Sequence, residues 1–471
     1  MDISQYFEAK KRLYPQAAKG YFRNLKWILN AVFITIYLGS PFLRYDRGEG
    51  APNQAILIDF SNTKAYFFGL EIWPNEVYYL MGILVFAATT LFFITSLFGR
   101  IWCGYACFQT VWTDIFIAIE KIFQGDRNAR IILDRKNSFE KFYKKSLTHF
   151  SWIIISLITG YGFTAYFSDA FLQAKSLANL NLGINALGWT LGIAAATYVM
   201  AGFAREHVCT FMCPYSRFQS AMFDKNTLII TYDEKRGEPR GSLKTKNFAL
   251  EATKHQGDCI DCKQCVVVCP TGIDIRDGLQ MECIACGLCI DACDDVMVKI
   301  NRPKGLIRYD TQKHLEMPIE ANKFKLFGAR FFYYSTILCA VLFFLIYSLI
   351  NKVSVESSII ADRNPAFVML SDGSIRNGYS LKITNKTYQD KVFTIKINSP
   401  KAAQIIVKSY DGIEGNNLSV SKNEVRNFKI YIILSQEFLE NNLDNQGLIN
   451  LSIVDNESGV EEKISTIFLW Q

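Results

Sequence analysis

From Val77 to Phe98 the chain carries no Asp, Glu, Lys or Arg, and Trp73, Tyr78 and Tyr79 lie at its start. A run of this length matches the hydrocarbon core of a bilayer, where a helix satisfies every backbone N–H and C=O within one segment. The aromatic flank suits the headgroup boundary. Stretches 27–43, 150–167, 184–204 and 331–350 have a similar character, so the sequence predicts a polytopic α-helical membrane domain with about five spans. A mean hydropathy of only +0.10 conceals this, because polar segments elsewhere offset the apolar runs. No small-residue cleavage motif follows the first stretch, which therefore reads as a retained span.

The cationic residues alternate with the spans. Lys10, Lys11, Arg12, Lys19, Arg23 and Lys26 precede the first, and Arg100, Lys121, Arg127, Arg130, Arg135, Lys136, Lys141, Lys144 and Lys145 fill the loop after the second. The opposite loops hold only Arg44, Arg47 and Lys64, and then Lys175. Cationic loops stay cytoplasmic, so the N-terminus, loop 99–149 and segment 205–325 are predicted inside and the tail after Ile350 outside. The net charge of +7 then reflects topology and attraction to an anionic bilayer, with no nucleic-acid partner.

The tail from Lys352 holds 13 basic and 14 acidic residues and no cysteine. Alternating runs at 380–384, 391–397, 428–432 and 449–453, separated by Gly, Asn, Asp and Pro, predict short antiparallel strands and an all-β sandwich.

Twelve of the thirteen cysteines fall between Cys103 and Cys293. CIDCKQCVVVCP supplies Cys259, Cys262, Cys265 and Cys269, and CIACGLCIDAC supplies Cys283, Cys286, Cys289 and Cys293. Each run is C-x2-C-x2-C-x3-C, the spacing of two-cluster ferredoxins, in which the fourth thiolate of one run ligates the other cluster. One 4Fe-4S cluster is thus assigned to Cys259, Cys262, Cys265 and Cys293, and the other to Cys283, Cys286, Cys289 and Cys269. Zinc sites use separated pairs and not two matching runs of four. Asp294 stands where a proline would complete the second run, which predicts an altered turn.

Two further pairs follow apolar spans. Cys103 and Cys107 come after Arg100-Ile101-Trp102, and Cys209 and Cys213 lie in Arg205-Glu206-His207-Val208-Cys209-Thr210-Phe211-Met212-Cys213-Pro214. Both pairs are C-x3-C, one helical turn apart, at the cytoplasmic edge. Four thiols there suit Cu(I), Zn(II) or an iron–sulfur centre, with His207 and Met212 as auxiliary ligands. Cys339, alone in the last span, reads as a packing residue. Arg236 and Arg240, in a polar Gly/Pro stretch, read as a dock for an acidic partner, a clamp of the domain on the membrane or a solvated linker. No G-x-G-x-x-G or P-loop is present, so the electron donor is expected to be a separate cytoplasmic protein or a small reductant.

The two ferredoxin runs, the two C-x3-C pairs, the phrase Gly99-Arg100-Ile101-Trp102-Cys103-Gly104-Tyr105-Ala106-Cys107 with Gln109-Thr110-Val111-Trp112-Thr113-Asp114, and Tyr232-Asp233 before Arg236-Gly237-Glu238-Pro239-Arg240-Gly241 resemble the FixG, RdxA and CcoG family of bacterial membrane polyferredoxins. The resemblance covers nearly the whole chain. It implies a multidomain protein of the bacterial inner membrane: a membrane domain at 1–204, a cytoplasmic segment at 205–325 with an inserted α+β dicluster ferredoxin module (core 250–305), a fifth span at 326–350 and an extracytoplasmic immunoglobulin-like sandwich at 351–471. It further implies cupric reductase activity in assembly of the cbb-type cytochrome c oxidase, with copper ions, copper chaperones or transporters and oxidase assembly proteins as partners. Phe108 stands where the family's first membrane motif has proline, which predicts that the helix continues past Cys107. The readings weighed beside this one are a NapH-like membrane ferredoxin that exchanges electrons with quinol and a non-catalytic assembly scaffold. The β domain and the fifth span favour the first.

Overall fold

The computed structural model describes residues 13–48, 50–241, 257–316, 327–399, 404–409, 417–435, 437–438 and 446–470. Lys10, Lys11 and Arg12, the start of the expected 250–305 core and the end of the 205–325 segment lie outside them. The chain packs as two units, Met1–Tyr45 with Gln54–Leu345, and Asp46–Asn53 with Ile346–Gln471. The cysteine-rich segment belongs to the same unit as the apolar helices.

Helices α1 (Tyr21–Gly39), α2 (Val77–Phe98), α3 (Ile101–Tyr105), α4 (Phe108–Gln124), α5 (Phe139–Thr164), α6 (Ile184–Val199) and α7 (Pro214–Met222) precede or border the cysteine-rich segment; that segment carries α8 (Leu288–Lys299), and α9 (Ala329–Ile350) follows. Four helices are long and apolar enough to cross a membrane: Tyr21–Phe42, Pro74–Phe98, Ile184–Ala204 and Ala329–Ile350. Stretch 150–167, expected as a further span, mostly belongs to α5, which has the length but interrupts its apolar face with buried Ser156, Thr159, Gly160, Gly162 and Thr164. These small residues serve close packing. A Cβ on Gly160 would lie 2.2 Å from the Thr190 carbonyl, and Thr164 Oγ1 meets Thr190 Oγ1 at 3.1 Å. At the other end Tyr198 Oη meets His149 Nδ1 at 3.0 Å, so α5 and α6 run antiparallel. Likewise Phe93 packs on Phe331 at 5.5 Å while Gly82 abuts Leu345, which makes α2 and α9 antiparallel.

At the end away from the cysteines lies a small antiparallel sheet of β1 (Ile56–Asp59), β2 (Lys64–Phe67) and β3 (Leu70–Ile72) that the sequence reading missed. It is tied to the end of α5 by Ile58 N to Tyr166 O at 2.8 Å. The only described cysteine outside the clusters, Cys339, is exposed instead of packed, because no residue of α9 is buried. The helix leans on α2, and at its start Arg330 donates to the Met222 carbonyl at 2.8 Å and pairs with Asp224 at 3.4 Å.

Within the cysteine-rich segment β4 (Leu228–Tyr232) pairs antiparallel with β5 (Ile307–Thr311). Ile230, Tyr232, Ile275, Ile290, Met297, Leu306 and Ile307 form the core together with Cys259, Cys265 and Cys293. Arg236 is instead a tie within the segment: its Nε lies 2.6 Å from Asp258, and Nη1 donates to the Lys304 carbonyl at 2.9 Å. Arg240, by contrast, makes longer ion pairs, with Glu238 at 3.4 Å and Asp277 at 3.7 Å. Asp294 accepts from Gly305 N at 2.9 Å, fastening the chain that leaves α8.

The second unit is an antiparallel immunoglobulin-like sandwich. β6 (Val355–Ala361), β7 (Val368–Met369), β8 (Ile375–Asn385), β9 (Lys391–Ser399), β10 (Gln404–Ser409), β11 (Asn417–Val420), β12 (Val425–Leu434), β13 (Gln446–Asp455) and β14 (Glu461–Leu469) form two sheets. Their orders are β10-β12-β8-β6, with β7 on β8, and β11-β9-β13-β14. The four alternating runs lie in β8, β9, β12 and β13. Inward residues such as Tyr379, Leu381, Phe393, Ile430, Leu451 and Phe468 are buried, as period-two alternation requires.

Candidate metal centres

The eight ferredoxin-type cysteines separate into two groups. Cys293 lies within Coulombic reach of Cys265, Cys262 and Cys259, whereas Cys289 faces Cys286, Cys283 and Cys269. These proximities run in the same sense as the grouping expected from the spacing. Left-handed backbone at Asp261, Lys263, Ala285 and Gly287 curls each run so that successive thiols turn inward. At Gly287 a side chain is also barred, since a Cβ would lie 2.6 Å from the Phe22 ring.

Cys269, Cys283, Cys286 and Cys289 line one cavity with Ile230, Ile273, Ile275 and Ile284. Cys265 reaches the same cavity and interacts with Cys289, so it joins the two groups. Burial pushes the thiols of Cys265, Cys283 and Cys293 up to about 12, and Cys286 and Cys289 are raised as well. Apolar burial disfavours a bare thiolate here, and binding a metal would displace the proton. Among the described residues no three His, Cys, Asp or Glu side chains converge closely enough to share a single ion. Four thiols around an apolar cavity, without closure on one point, fit a polynuclear iron–sulfur group better than one zinc ion.

The two membrane motifs share one local shape. Cys107 and Cys213 are both extended, with φ −67° and ψ 125°, and φ −80° and ψ 111°, and each opens a new helix, α4 and α7. Helix α3 ends at Tyr105, so Phe108 does not prolong it through Cys107 as predicted. An extended residue can begin a helix whether phenylalanine or proline follows. The second motif lies on a π-helical turn, Val208–Met212, after Arg205, whose φ of +38° breaks the preceding span. Glu120 holds Arg205 at 2.7 Å and Arg130 at 2.8 Å, and all three side chains are buried.

Cys103 and Cys209 lie within Coulombic reach of each other, and Cys209 likewise faces Cys107 and Cys213. Burial raises Cys103 to about 12 and Cys209 to about 11. The four thiols are therefore neighbours, although they do not close on one ion. Cys103 Sγ instead meets Gln219 Oε1 at 3.5 Å. Of the expected auxiliaries, the His207 ring stacks on Phe211 and Met212 is 59% exposed.

The first motif also packs directly on the second thiol group. A Cβ on Gly104 would lie 2.6 Å from the Ile284 carbonyl, and Tyr105 Oη donates to the Cys286 carbonyl at 3.0 Å. Arg100 is 5% exposed and donates to the carbonyls of Met281 and Ser216, tying the first motif to the thiol loop and to α7. Its guanidinium faces Cys103, Cys283 and Cys209. The sequence places Arg100 among the cationic loop residues and in the motif phrase before Cys103, without assigning it a contact. Its place between an apolar span and Cys103 was the available signal.

Comparison with known proteins gives three family-model matches: a 4Fe-4S binding domain over residues 80–125, a 4Fe-4S dicluster domain over 204–312 and the IG-like fold at the C-terminus of FixG over 345–471. The first match takes in Cys103 and Cys107. The nitrogen fixation protein FixG of Rhizobium meliloti is 40% identical over 466 residues, which cover 91% of this chain and 87% of the relative. Protein RdxA of Cereibacter sphaeroides is 41% identical over 430 residues, covering 90% and 89%. The crystal structure of a FixG-related protein from Vibrio parahaemolyticus covers 26% of this chain and 99% of its own, at 19% identity and a TM-score of 0.22.

Proposed function

The chain belongs to the FixG/RdxA/CcoG family of iron–sulfur proteins with membrane helices, and from that premise we propose that it is a one-electron relay that reduces Cu(II) to Cu(I) for assembly of the cbb-type cytochrome c oxidase. The observation that carries this reading is the seat of Gly104 and Tyr105 on the Ile284–Cys286 backbone, which brings the second thiol group against the membrane cysteines.

Cys259, Cys262, Cys265 and Cys293 would hold one 4Fe-4S cluster and Cys269, Cys283, Cys286 and Cys289 the other; when bound, such clusters take up and release single electrons. Cys262 is exposed and opens the first group to a donor in water. Cys265 links the groups, and Arg100 places a fixed cation between the second group and Cys103. Copper is the substrate. Cys103, Cys107, Cys209 and Cys213 offer soft donors that favour Cu(I) over Cu(II), and four thiols not closed on one point suit an ion that arrives and leaves.

The membrane reading has α5 as a fifth crossing. Helices α2 and α6 both run toward the cysteines, so the chain must return once between them, and α5, antiparallel to α6, is long enough at 26 residues to do so. Together with the cationic loops this supports a cytoplasmic cysteine-rich segment, an extracytoplasmic β domain and residence in the bacterial inner membrane. The partners in this reading are copper chaperones or transporters, oxidase assembly proteins and an electron donor.

The test uses anaerobically purified, dithionite-reduced full-length protein with a Cu(I)-specific chelator. About eight irons per chain and stoichiometric Cu(I) formation are expected. Cys265→Ser should lose cluster signal and copper reduction together, whereas Cys209→Ser should keep its iron and lose copper reduction. Clusters that quinone oxidises rapidly but Cu(II) does not would overturn the proposal. An iron count above eight, lowered by Cys209→Ser, would replace copper at the membrane thiols with a further iron centre.

A further inference from the structure

A cavity of about 460 Å³ opens between the start of α1, helix α4 and the cysteine-rich segment. Four cations border it, Lys19, Arg23, Lys121 and Arg130, against two carboxylates, Asp114 and Asp126. The carboxylates do not balance them. Asp114 is shared between Lys26 at 2.9 Å and Arg23 at 3.5 Å, and Glu120, outside the lining, between Arg205 at 2.7 Å and Arg130 at 2.8 Å. Asp126 Oδ1 is taken up by the backbone N–H groups of Ala17 at 3.2 Å and Arg127 at 2.8 Å. Lys19 and Lys121 are exposed at the rim, and neither pairs with a carboxylate among the described residues. The wall therefore carries an excess of positive charge.

One of these cations also lacks an acceptor. Arg130 is 3% exposed; its Nη1 donates to Glu120 Oε2 at 2.8 Å and its Nη2 to the Pro15 carbonyl, but its Nε has no hydrogen-bond partner among the described residues. A buried donor without an acceptor is costly, and an anion held in the cavity would satisfy it. Guanidinium and ammonium groups gathered on one wall are the donors that phosphate oxygens accept from.

The rest of the lining narrows the ligand further. Trp27, Ile117 and Ala118 give the cavity an apolar side, and the Arg23 guanidinium lies 4.3 Å from the centre of the Trp27 ring, so the charged and apolar parts adjoin. Trp27 stands on α1, which is long and apolar enough to enter a membrane. A phosphodiester with esterified glycerol behind it matches both parts, whereas a small inorganic anion uses only the first. Cationic pockets between membrane helices are a recurrent seat for anionic headgroups. The remaining wall belongs to the second thiol group: Val268 and Pro270 flank Cys269, and Leu288 precedes Cys289. A ligand held there touches both the membrane helices and the chain that carries those thiols.

We propose that this cavity seats the headgroup of an anionic phospholipid, its phosphate held by Arg130 with Lys19 and Lys121, and that the bound lipid pins the cysteine-rich segment to α1 and α4. The net charge of the chain draws it toward any anionic bilayer, but this is a defined site with its own selectivity. Salt separates the two. Exposed charges are screened within about 3 Å at 1 M ionic strength, whereas a partly buried pairing is screened much less. The site stands whether or not copper is the substrate.

The test uses full-length, iron-loaded protein, stripped of lipid in a neutral detergent, with radiolabelled phosphatidylglycerol as the probe. In about 1 M salt, where diffuse attraction is screened, binding should be saturable and at least tenfold tighter than that of phosphatidylcholine with the same chains. Lys19→Gln combined with Lys121→Gln should weaken it at least tenfold at unchanged iron content. Arg135→Gln combined with Lys136→Gln removes two exposed cations outside the cavity and should leave it unchanged. A phosphatidylglycerol carrying a diazirine beside its headgroup should cross-link to peptides containing Trp27, Ile117 or Ala118, a readout that needs no variant. Absence of saturable binding, equal affinity for phosphatidylcholine, equal behaviour of the two double variants, or cross-links confined elsewhere would overturn the proposal. Displacement of the lipid by inorganic phosphate at equal concentration would give the cavity to a soluble anion and overturn it too.

Discussion

The Tyr105 hydroxyl donates to the backbone carbonyl of Cys286 over 3.0 Å, joining the helix that carries Cys103 to the loop that carries the second thiol group. Tyr309 donates to the neighbouring Ala285 carbonyl at 2.6 Å, so two phenols from separate elements hold adjacent carbonyls of one loop. Tyr105 is buried and Tyr309 half-buried, and desolvation raises each phenol above the usual range, so they remain protonated donors. Tyr105→Phe keeps the ring and removes one bond. Stability should fall by about 1 kcal/mol, read as earlier loss of cluster absorbance on heating, with iron content at low temperature unchanged. A variant as stable as the parent would show that the loop does not depend on this bond.

Gly104 makes the same contact through its missing side chain. A Cβ there would meet the carbonyl oxygens of Ile284 and Ala285 at 2.6 and 2.9 Å, and backbone atoms in a cysteine loop cannot swing aside. Gly104→Val should lift α3 away from the second thiol group. The overpacking costs about 1 to 3 kcal/mol, and the larger effect should fall on electron transfer. Cu(I) formation by the reduced protein should slow more than tenfold while the two-cluster EPR signal persists. Equal slowing of cluster reduction by dithionite would place the damage in the module and not at its contact with α3.

The cysteine groups were legible in the sequence because their information is local: four thiols at fixed spacing can wrap only a small number of metal arrangements, and the crossed grouping follows from the long third gap. The β domain was legible for a similar reason, since period-two alternation in runs such as 391–397 sets which side chains turn inward. The seat of Gly104 on Ile284 was not legible, because the two residues are far apart in the chain and neither is unusual where it stands. The β1–β3 sheet was hidden by its short strands, whose burial depends on the end of α5. Helix α5 shows a third kind of limit. Its Gly160 and Thr164 dilute the apolar signal of a span, yet they are the residues that let α6 approach closely.

Glu120 is the anchor of the break that aims the second membrane motif. It lies 2.7 Å from Arg205 and 2.8 Å from Arg130, and its side chain is 2% exposed. Removing one member of a buried ion group leaves the others charged and unpaired, which typically costs about 3 to 5 kcal/mol. Glu120→Ala should therefore lower the yield of folded protein sharply. Glu120→Gln, which retains one of the two acceptor oxygens, should be milder. Because Arg205 sits at φ +38° just before His207, the Gln variant should also disturb Cys209, read as altered thiol alkylation of Cys209 relative to Cys103 in metal-free protein. Identical alkylation in variant and parent would separate the ion group from the motif.

Acid should weaken the β domain through Asp455. Burial alone would raise this carboxyl, but the Lys391 ammonium, the Ser458 hydroxyl at 2.6 Å and the Glu457 N–H at 3.1 Å outweigh it and bring the value from 3.8 down to about 2. The side chain is only 4% exposed, so solvent screens the pair little. A carboxyl whose folded value lies below its unfolded one stabilises the fold fully above the unfolded value, here near 4, and loses that contribution as pH falls toward 2. The size is about 2 kcal/mol. Asp455 closes β13 against the first residue of β9, so the loss should appear in those strands. Hydrogen exchange of β9 and β13 peptides in the full chain should speed up between pH 4 and pH 2, after correction for the intrinsic rate. In Asp455→Asn that exchange should already be faster at neutral pH and should lose this part of its pH dependence. Protection in the variant that fell with acid just as in the parent would assign the acid sensitivity to other carboxylates.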